Sequence, residues 1–136
     1  MKIQLSPEQI AMLPVHDADL ILVQIETSTG GEVTVEMNIE IDPEEPMQPF
    51  RDIGIMARLV KLRFEKCHNV ISNLLSYQAR RETIHAWQVV LNSPRIDQLV
   101  KSAVFPNRKF VHNVFELSGG STIEVIADEM FIEDAD

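Results

Sequence analysis

The sequence predicts a single α+β domain built on a mainly antiparallel β-sheet, and three observations favour this class. Residues 32–42 alternate apolar and polar side chains without a break, which is the pattern of a half-buried strand. Two Gly-Gly pairs, at 30–31 and 119–120, each separate two strand-like segments, as hairpin turns do. Strands do not alternate regularly with crossover helices, so we expect neighbouring strands to run antiparallel.

Length and composition indicate one globular unit. At 136 residues the chain can bury one hydrophobic core, and residues 1–136 are predicted to form a single domain. The single cysteine, Cys67, excludes an internal disulfide and favours a reducing compartment. The N-terminus lacks the features of a signal peptide and no apolar run is long enough to span a membrane, so a cytoplasmic location is expected.

A short helical turn is predicted over residues 7–13, near the N-terminus. Ser6 supplies a capping hydroxyl, Pro7 occupies the first helical position and Gln9 the third. Pro14 prevents the helix from continuing. This turn is expected to form a small cap on the domain.

Three strands are predicted in the N-terminal half, over residues 20–27, 32–42 and 58–66. In the first of them Ile21, Val23 and Ile25 are expected to face the core. Three prolines within residues 43–49 predict an exposed loop, because proline cannot donate to a strand ladder. Residues 69–82 have no clean period and fit either a helical turn or a strand.

The C-terminal half is predicted to contain the best-defined helix, over about residues 94–104. Ser93 caps this helix and Pro94 opens it, and its apolar positions recur at helical spacing. We expect the apolar stripe to pack on one face of the sheet, which leaves the opposite face partly exposed. The other segments of this half, 83–91, 110–117, 122–127 and 130–133, are predicted strands.

The outward row of the 32–42 strand is the main candidate binding surface. It carries four carboxylates and no basic residue, at Glu32, Glu36, Glu40 and Asp42. Together with the net charge of −9, this row disfavours nucleic acid and anionic membranes and favours a partner protein with a basic surface. The structural alternative is an ordinary solvated strand face that discourages aggregation.

A second, polar candidate lies before the first strand, where His16, Asp17 and Asp19 cluster. A histidine with two carboxylates could begin a divalent-metal site or an acid–base set, which makes a small-ligand or metal-dependent enzyme the alternative function. No further metal-ligand motif accompanies these residues, and hydrogen bonds from the aspartates to the backbone would explain them equally well. Neither a metal nor any other cofactor is predicted.

The remaining chemistry-bearing residues are predicted to be structural. Cys67 and His68 are neighbours on a strand and should point to opposite faces, so they cannot form a thiol–imidazole pair. His85 and His112 are expected to be partly buried histidines. Neither Gly-Gly pair opens a helix after a strand, and no nucleophile-elbow motif is present, so neither a phosphate loop nor nucleophilic hydrolysis is predicted.

Four segments of the chain form a pattern that extends over nearly its whole length. They are Val15-His16-Asp17-Ala18 followed by Leu20, Val23 and Ile25; Leu62-Arg63-Phe64-Glu65; Ile84-x-x-Trp87-x-Val89 leading to Asn92-Ser93-Pro94; and the closing hairpin from Phe115 to Ala127. This pattern resembles small, mostly uncharacterised bacterial α+β domains related to immunity proteins that neutralise polymorphic toxins. The resemblance implies a non-enzymatic domain that binds a partner protein, although the prolines of residues 43–49 depart from the compact version of the pattern.

The function predicted from the sequence is therefore protein binding without catalysis. The acidic row would engage a basic partner, and an immunity-like role is what the resemblance adds. Besides the enzyme alternative, a homo-oligomeric structural protein is a further alternative, with Leu20 and Leu22 as contacts on the outer side of the first strand.

Overall fold

The computed structural model describes residues 2–73, 82–102 and 109–135, and these residues form a predominantly β structure. The strands are β1 (Ile3–Gln4), β2 (Asp19–Thr27), β3 (Val33–Glu40), β4 (Leu59–Asn73), β5 (Glu82–Val89), β6 (Val111–Leu117) and β7 (Thr122–Asp134). The helices are α1 (Pro7–Met12), α2 (Gln48–Asp52) and α3 (Pro94–Ser102), and a 3-10 turn at Ser118–Gly120 joins β6 to β7.

Six of these strands close into an antiparallel barrel. The hydrogen-bonded order is β1-β7-β4-β3-β2-β5-β6, and β6 also pairs with β7, which closes the ring and leaves β1 as an addition beside β7. All the pairings are antiparallel, as predicted. The long β7 strand lies between β4 and β6 in its first half and between β4 and β1 in its second.

The predicted α+β class, with a helix over about 94–104 packed on one face of a sheet, is wrong. Helix α3 does form, but its apolar residues Ile96 and Leu99 stay only half-buried, so its stripe does not cover a sheet face. The predicted positions 103 and 104 lie outside the described residues. A closed barrel fills its interior with side chains from its own strands, so no covering helix is required.

Three aromatic side chains occupy the barrel interior: Phe64 of β4, Trp87 of β5 and Phe115 of β6. The rings of Trp87 and Phe115 stack with centroids 5.0 Å apart. Phe64 meets them edge-on, at 6.0 Å from Trp87 and 5.8 Å from Phe115. Because β4 is hydrogen-bonded to neither β5 nor β6, Phe64 reaches the other two rings across the interior. This cluster therefore joins opposite walls of the barrel.

The alternation predicted for β3 is confirmed, whereas that for β2 is confirmed only in part. The inward side chains of the 32–42 segment are almost fully buried at Val35, Met37, Ile39 and Ile41. In β2 a register shift at Ile21 places Leu20 opposite Ile39 and against the core. The predicted inward residue Ile25 is 56% exposed. A bulge adds one residue and reverses the faces on one side of it, which the alternation could not reveal. It explains why Leu20 meets the core in place of Ile21, whereas Ile25 remains on the same side of β2 as Val23.

Several predicted boundaries change in the structure. Helix α1 begins with the predicted capping box, in which Ser6 and Gln9 exchange side-chain and backbone hydrogen bonds. Within the ambiguous segment 69–82, residues 69–73 extend β4, Glu82 begins β5, and residues 74–81 lie outside the described part. The segments predicted as 122–127 and 130–133 are a single strand. The unpredicted helix α2 begins at Gln48, inside the segment 43–49 that was predicted as an exposed loop, and Met47 of this segment is buried.

We expect Phe64→Ala to lower the free energy of unfolding by about 3–5 kcal/mol, because it removes the ring that spans the interior. Urea denaturation followed by circular dichroism measures this loss. Phe131→Ala is the matched control, since Phe131 is a half-buried phenylalanine on the outer surface, under the Lys2 ammonium. Equal losses in the two variants would contradict a central role for Phe64.

Candidate functional site

The predicted acidic row is interrupted by the neighbouring strand. β4 places Arg63 directly opposite Glu36, and the Arg63 guanidinium forms an ion pair with the Glu36 carboxylate. Glu36 is therefore not an open acidic position. Glu32 and Glu40 lie on either side of Glu36 along the strand, separated from each other by about 26 Å of extended chain.

Ion pairs balance the outer face of the barrel around Arg63. The Glu65 carboxylate lies 3.0 Å from Arg63 Nε and 2.7 Å from Lys2 Nζ, and Lys66 Nζ lies 2.8 Å from the Glu129 carboxylate. Partial burial alone would raise the pKa of Glu65, but hydrogen bonds from Lys2 and Arg63 outweigh it and hold this pKa below its ordinary value. This face presents alternating charges and no acidic surplus.

The structure brings the two predicted candidate groups together at one end of β3. Asp19, from the polar group, lies directly opposite Glu40, from the acidic row. Both side chains face outward, because the next pair, Leu20 and Ile39, faces the core. We call this region the acidic end and define it by its carboxylates, Asp17, Asp19, Glu40, Asp42 and Glu45.

His16 is an exposed histidine within the acidic end. Its Nδ1 donates a hydrogen bond to the His85 carbonyl at 2.8 Å, and its Nε2 lies 3.5 Å from an Asp17 carboxylate oxygen. The hydrogen bond to the carbonyl raises the pKa of His16, and the negative charges of Asp17, Glu45 and Asp42 raise it further. The ring therefore lies in a negative electrostatic potential.

The loop that carries Asp42 and Glu45 is held by Arg58. The Arg58 guanidinium donates to the Asp42 carbonyl at 2.6 Å and to the Glu45 carbonyl at 3.4 Å. The Asp42 carboxylate accepts a hydrogen bond from the Glu44 amide at 2.8 Å. Because Arg58 binds backbone carbonyls, it fixes the shape of the loop while the acidic side chains stay at the surface.

His16, Asp17 and Asp19 are not gathered into a metal site. Across the described residues, no three His, Cys, Asp or Glu side chains are placed so that they could hold a metal ion. The segment instead links β2 to β5, since the Asp17 amide donates to the Ile84 carbonyl at 2.8 Å and the Ile84 amide to the Ala18 carbonyl at 2.7 Å. Asp17 adopts a left-handed backbone conformation, with φ of 65°, to make this link.

The sequence did not predict a hydrogen-bonded chain of Ser93, His112 and Glu124. The Ser93 hydroxyl lies 2.7 Å from His112 Nδ1, and His112 Nε2 lies 2.7 Å from the Glu124 carboxylate. The pairing of β6 with β7 brings Glu124 to His112. The pairing of β5 with β6, which continues to the Val90 amide and the His112 carbonyl, brings Ser93 to the same ring. The same types of group make up the nucleophilic triads of hydrolases.

The geometry of the hydrogen-bonded residues Ser93, His112 and Glu124 indicates a structural role. Ser93 is 3% exposed, and its hydroxyl also accepts a hydrogen bond from the Ile96 amide at 3.4 Å. It therefore acts as the cap that holds the first turn of α3 against the outer wall of β6. A nucleophile has to reach its substrate, and this hydroxyl is enclosed.

The other predicted roles can be compared directly with the structure. Cys67 is buried and its thiol donates to the Phe64 carbonyl at 3.3 Å, while burial raises the pKa of Cys67 to about 12. His68 is exposed, so the prediction that these neighbours point apart is confirmed. His112 is buried, whereas His85 is exposed and the prediction for it was wrong.

A cleft of about 590 Å³ lies between α1 and β5, and sequence reasoning missed it. Ile10 and Ala11 line its helical side, and Trp87 and Val89 line its strand side. Leu91, at its margin, is 79% exposed. The signal in the sequence was Leu91 itself, an apolar residue at the end of a strand with no predicted partner.

The fold and these sites define a closed antiparallel barrel with an acidic end and an apolar cleft beside β5. No family model matches the chain, and no curated protein or solved structure is matched either. Within the described ranges, no helix is long and apolar enough to cross a membrane.

We expect the His16 ring to titrate above its ordinary pKa of 6.5. The charged ring is favoured in the folded state, so its contribution to stability is present below pH 6.5 and lost as the pH rises through the folded-state pKa. Asp17→Asn should lower this pKa only in part, because the His85 carbonyl remains. Proton NMR titration measures both values. Asp97→Asn, remote on α3, should leave the pKa of His16 unchanged.

We expect Ser93→Ala to lower the free energy of unfolding by about 1–3 kcal/mol, because it removes a helix cap and leaves His112 without its hydroxyl partner. Thermal and urea denaturation measure this loss. Treatment of the native wild-type protein with an alkyl fluorophosphonate should leave its mass unchanged, as measured by mass spectrometry. Covalent labelling at Ser93 would contradict the structural role.

Proposed function

We propose that this protein is a non-enzymatic protein-binding domain that engages a basic partner through its acidic end. The observation that carries the proposal is the placement of Asp19 directly opposite Glu40 on the neighbouring strands β2 and β3, with both side chains on the outer surface. Asp42 follows two residues after Glu40, so several carboxylates are gathered on one part of the surface. Such a concentration of negative charge attracts a cationic partner.

Two further features support binding at this end. Arg58 orders the loop that carries Asp42 and Glu45, so part of the acidic surface is formed before a partner arrives. The charge of −9 on the whole chain would accelerate the approach of a basic protein. Such a domain fits the immunity-like role implied by the resemblance, since masking a basic toxin domain requires binding and no reaction.

The variant Asp17→Asn/Asp19→Asn/Asp42→Asn should bind a twelve-residue peptide of alternating lysine and serine about tenfold more weakly than wild type. Isothermal titration calorimetry at low salt measures the affinity. The difference should shrink at high salt, where exposed charges are screened.

The matched control is Glu26→Gln/Asp97→Asn/Glu133→Gln, which removes the same charge from other surfaces. Glu36 is left unchanged in both variants, because its removal would break the pair with Arg63. Equal weakening by the two triple variants would assign the binding to net charge and overturn the role of the acidic end. Unchanged affinity in the first triple variant would overturn it as well.

A further inference from the structure

One edge of β5 is unpaired within the described chain. The Val90 amide donates to the His112 carbonyl of β6 at 2.8 Å, and in an antiparallel ladder the residues that bond to a given neighbour alternate. Trp87 and Val89 therefore direct their amides and carbonyls away from β6, towards the side on which β2 joins β5. Among the described residues, β2 pairs with β5 only at Asp19 and Leu20, opposite Thr83 and Glu82.

Residues 16–18 form hydrogen bonds with this edge of β5 as far as His85. His16 Nδ1 donates to the His85 carbonyl, and Ala18 accepts from the Ile84 amide. Beyond this point helix α1 lies beside β5, and a helix cannot complete a strand ladder. The backbone of Trp87 and Val89 thus lies at the margin of the cleft between α1 and β5.

The cleft has the chemistry of a site for an extended peptide. Its volume of about 590 Å³ lies within the range of ligand sites. Its walls are mainly apolar, with Ile10 and Ala11 opposite Trp87 and Val89. An added strand would hydrogen-bond to the free edge and direct alternate side chains towards these walls.

The charge at the rim indicates which residues the peptide would carry. Glu8 is an exposed carboxylate that lines the cleft, and none of the described residues that line it is basic. Together with the negative charge of the whole chain, Glu8 favours a lysine or arginine at one end of the peptide.

We propose that the cleft between α1 and β5 binds an extended segment of a partner protein, which adds as a strand to the Trp87–Val89 edge. The segment carries apolar side chains at alternate positions and a basic residue that meets Glu8. This site is separate from the acidic end, and neither proposal requires the other.

An array of synthetic seven-residue peptides with apolar residues at alternate positions and a terminal lysine tests the proposal. Isothermal titration calorimetry measures binding, and Trp87, the single tryptophan of the chain, provides a second signal because it lines the cleft while its ring stacks on Phe115. We expect at least one peptide to bind and change the fluorescence of Trp87. The same peptide N-methylated at the amides that would face β5 should bind at least tenfold more weakly, because it keeps the side chains and loses the ladder bonds.

Two variants locate the site on the protein. Ala11→Arg places a long side chain in the cleft from an exposed helix position, and Leu91→Ser removes an apolar margin. Each should weaken binding at least tenfold. Met56→Ser is the matched control, since Met56 is also an exposed apolar residue, at 64%, and does not line the cleft. It should bind as wild type does.

Three outcomes would overturn the proposal. The first is an absence of binding by every peptide of the array at millimolar concentration. The second is equal affinity of the N-methylated peptide, which would indicate an apolar pocket without strand addition. The third is a wild-type dimer in sedimentation that becomes a monomer on Ala11→Arg, which would assign the cleft to a second copy of this chain.

Discussion

The contact of Phe64 with Trp87 and Phe115 is the interaction on which the rest of the structure depends. Phe64 comes from β4, on the wall opposite β5 and β6, so its ring can meet Trp87 and Phe115 only when the sheet has closed. The Trp87 indole also donates to Asn113 of β6 at 3.0 Å, and Asn113 donates to the Val125 carbonyl of β7 at 3.2 Å. The aromatic cluster thus connects directly to the β6–β7 pairing that closes the barrel.

The alternation of the sequence predicts strands but does not distinguish an open sheet from a closed barrel. In both cases Val35, Met37 and Ile39 point to an apolar interior and their neighbours to water. What differs is the pairing of β4 with β7 and of β2 with β5, which joins residues far apart in sequence. Local patterns carry no information about such pairings, so the helix over 94–104 was assigned a covering role that the barrel does not need.

The candidate sites could be predicted from the sequence only where their residues are neighbours along the chain. Residues adjacent in sequence, such as His16 and Asp17, or Cys67 and His68, could be assessed from spacing alone. The cancellation of Glu36 by Arg63 depends on the register of β3 with β4, and the opposition of Asp19 and Glu40 on the register of β2 with β3, which shifts at Ile21. The hydrogen bonds among Ser93, His112 and Glu124 depend on the pairing of β6 with both β5 and β7.

The acidic end and the cleft both adjoin one seam of the barrel, where β2 leaves β5. At this seam the described strands share two residue pairs, and the 16–18 segment and α1 continue the contact along β5. Because a loop and a helix stand where a strand would continue, the backbone groups of Trp87 and Val89 have no ladder partner on this side among the described residues. The same loop places His16 and Asp17 beside the carboxylates at the end of β3. The cleft and the position of His16 therefore follow from the incomplete pairing of β2 with β5, whereas the opposition of Asp19 and Glu40 belongs to the ladder of β2 with β3.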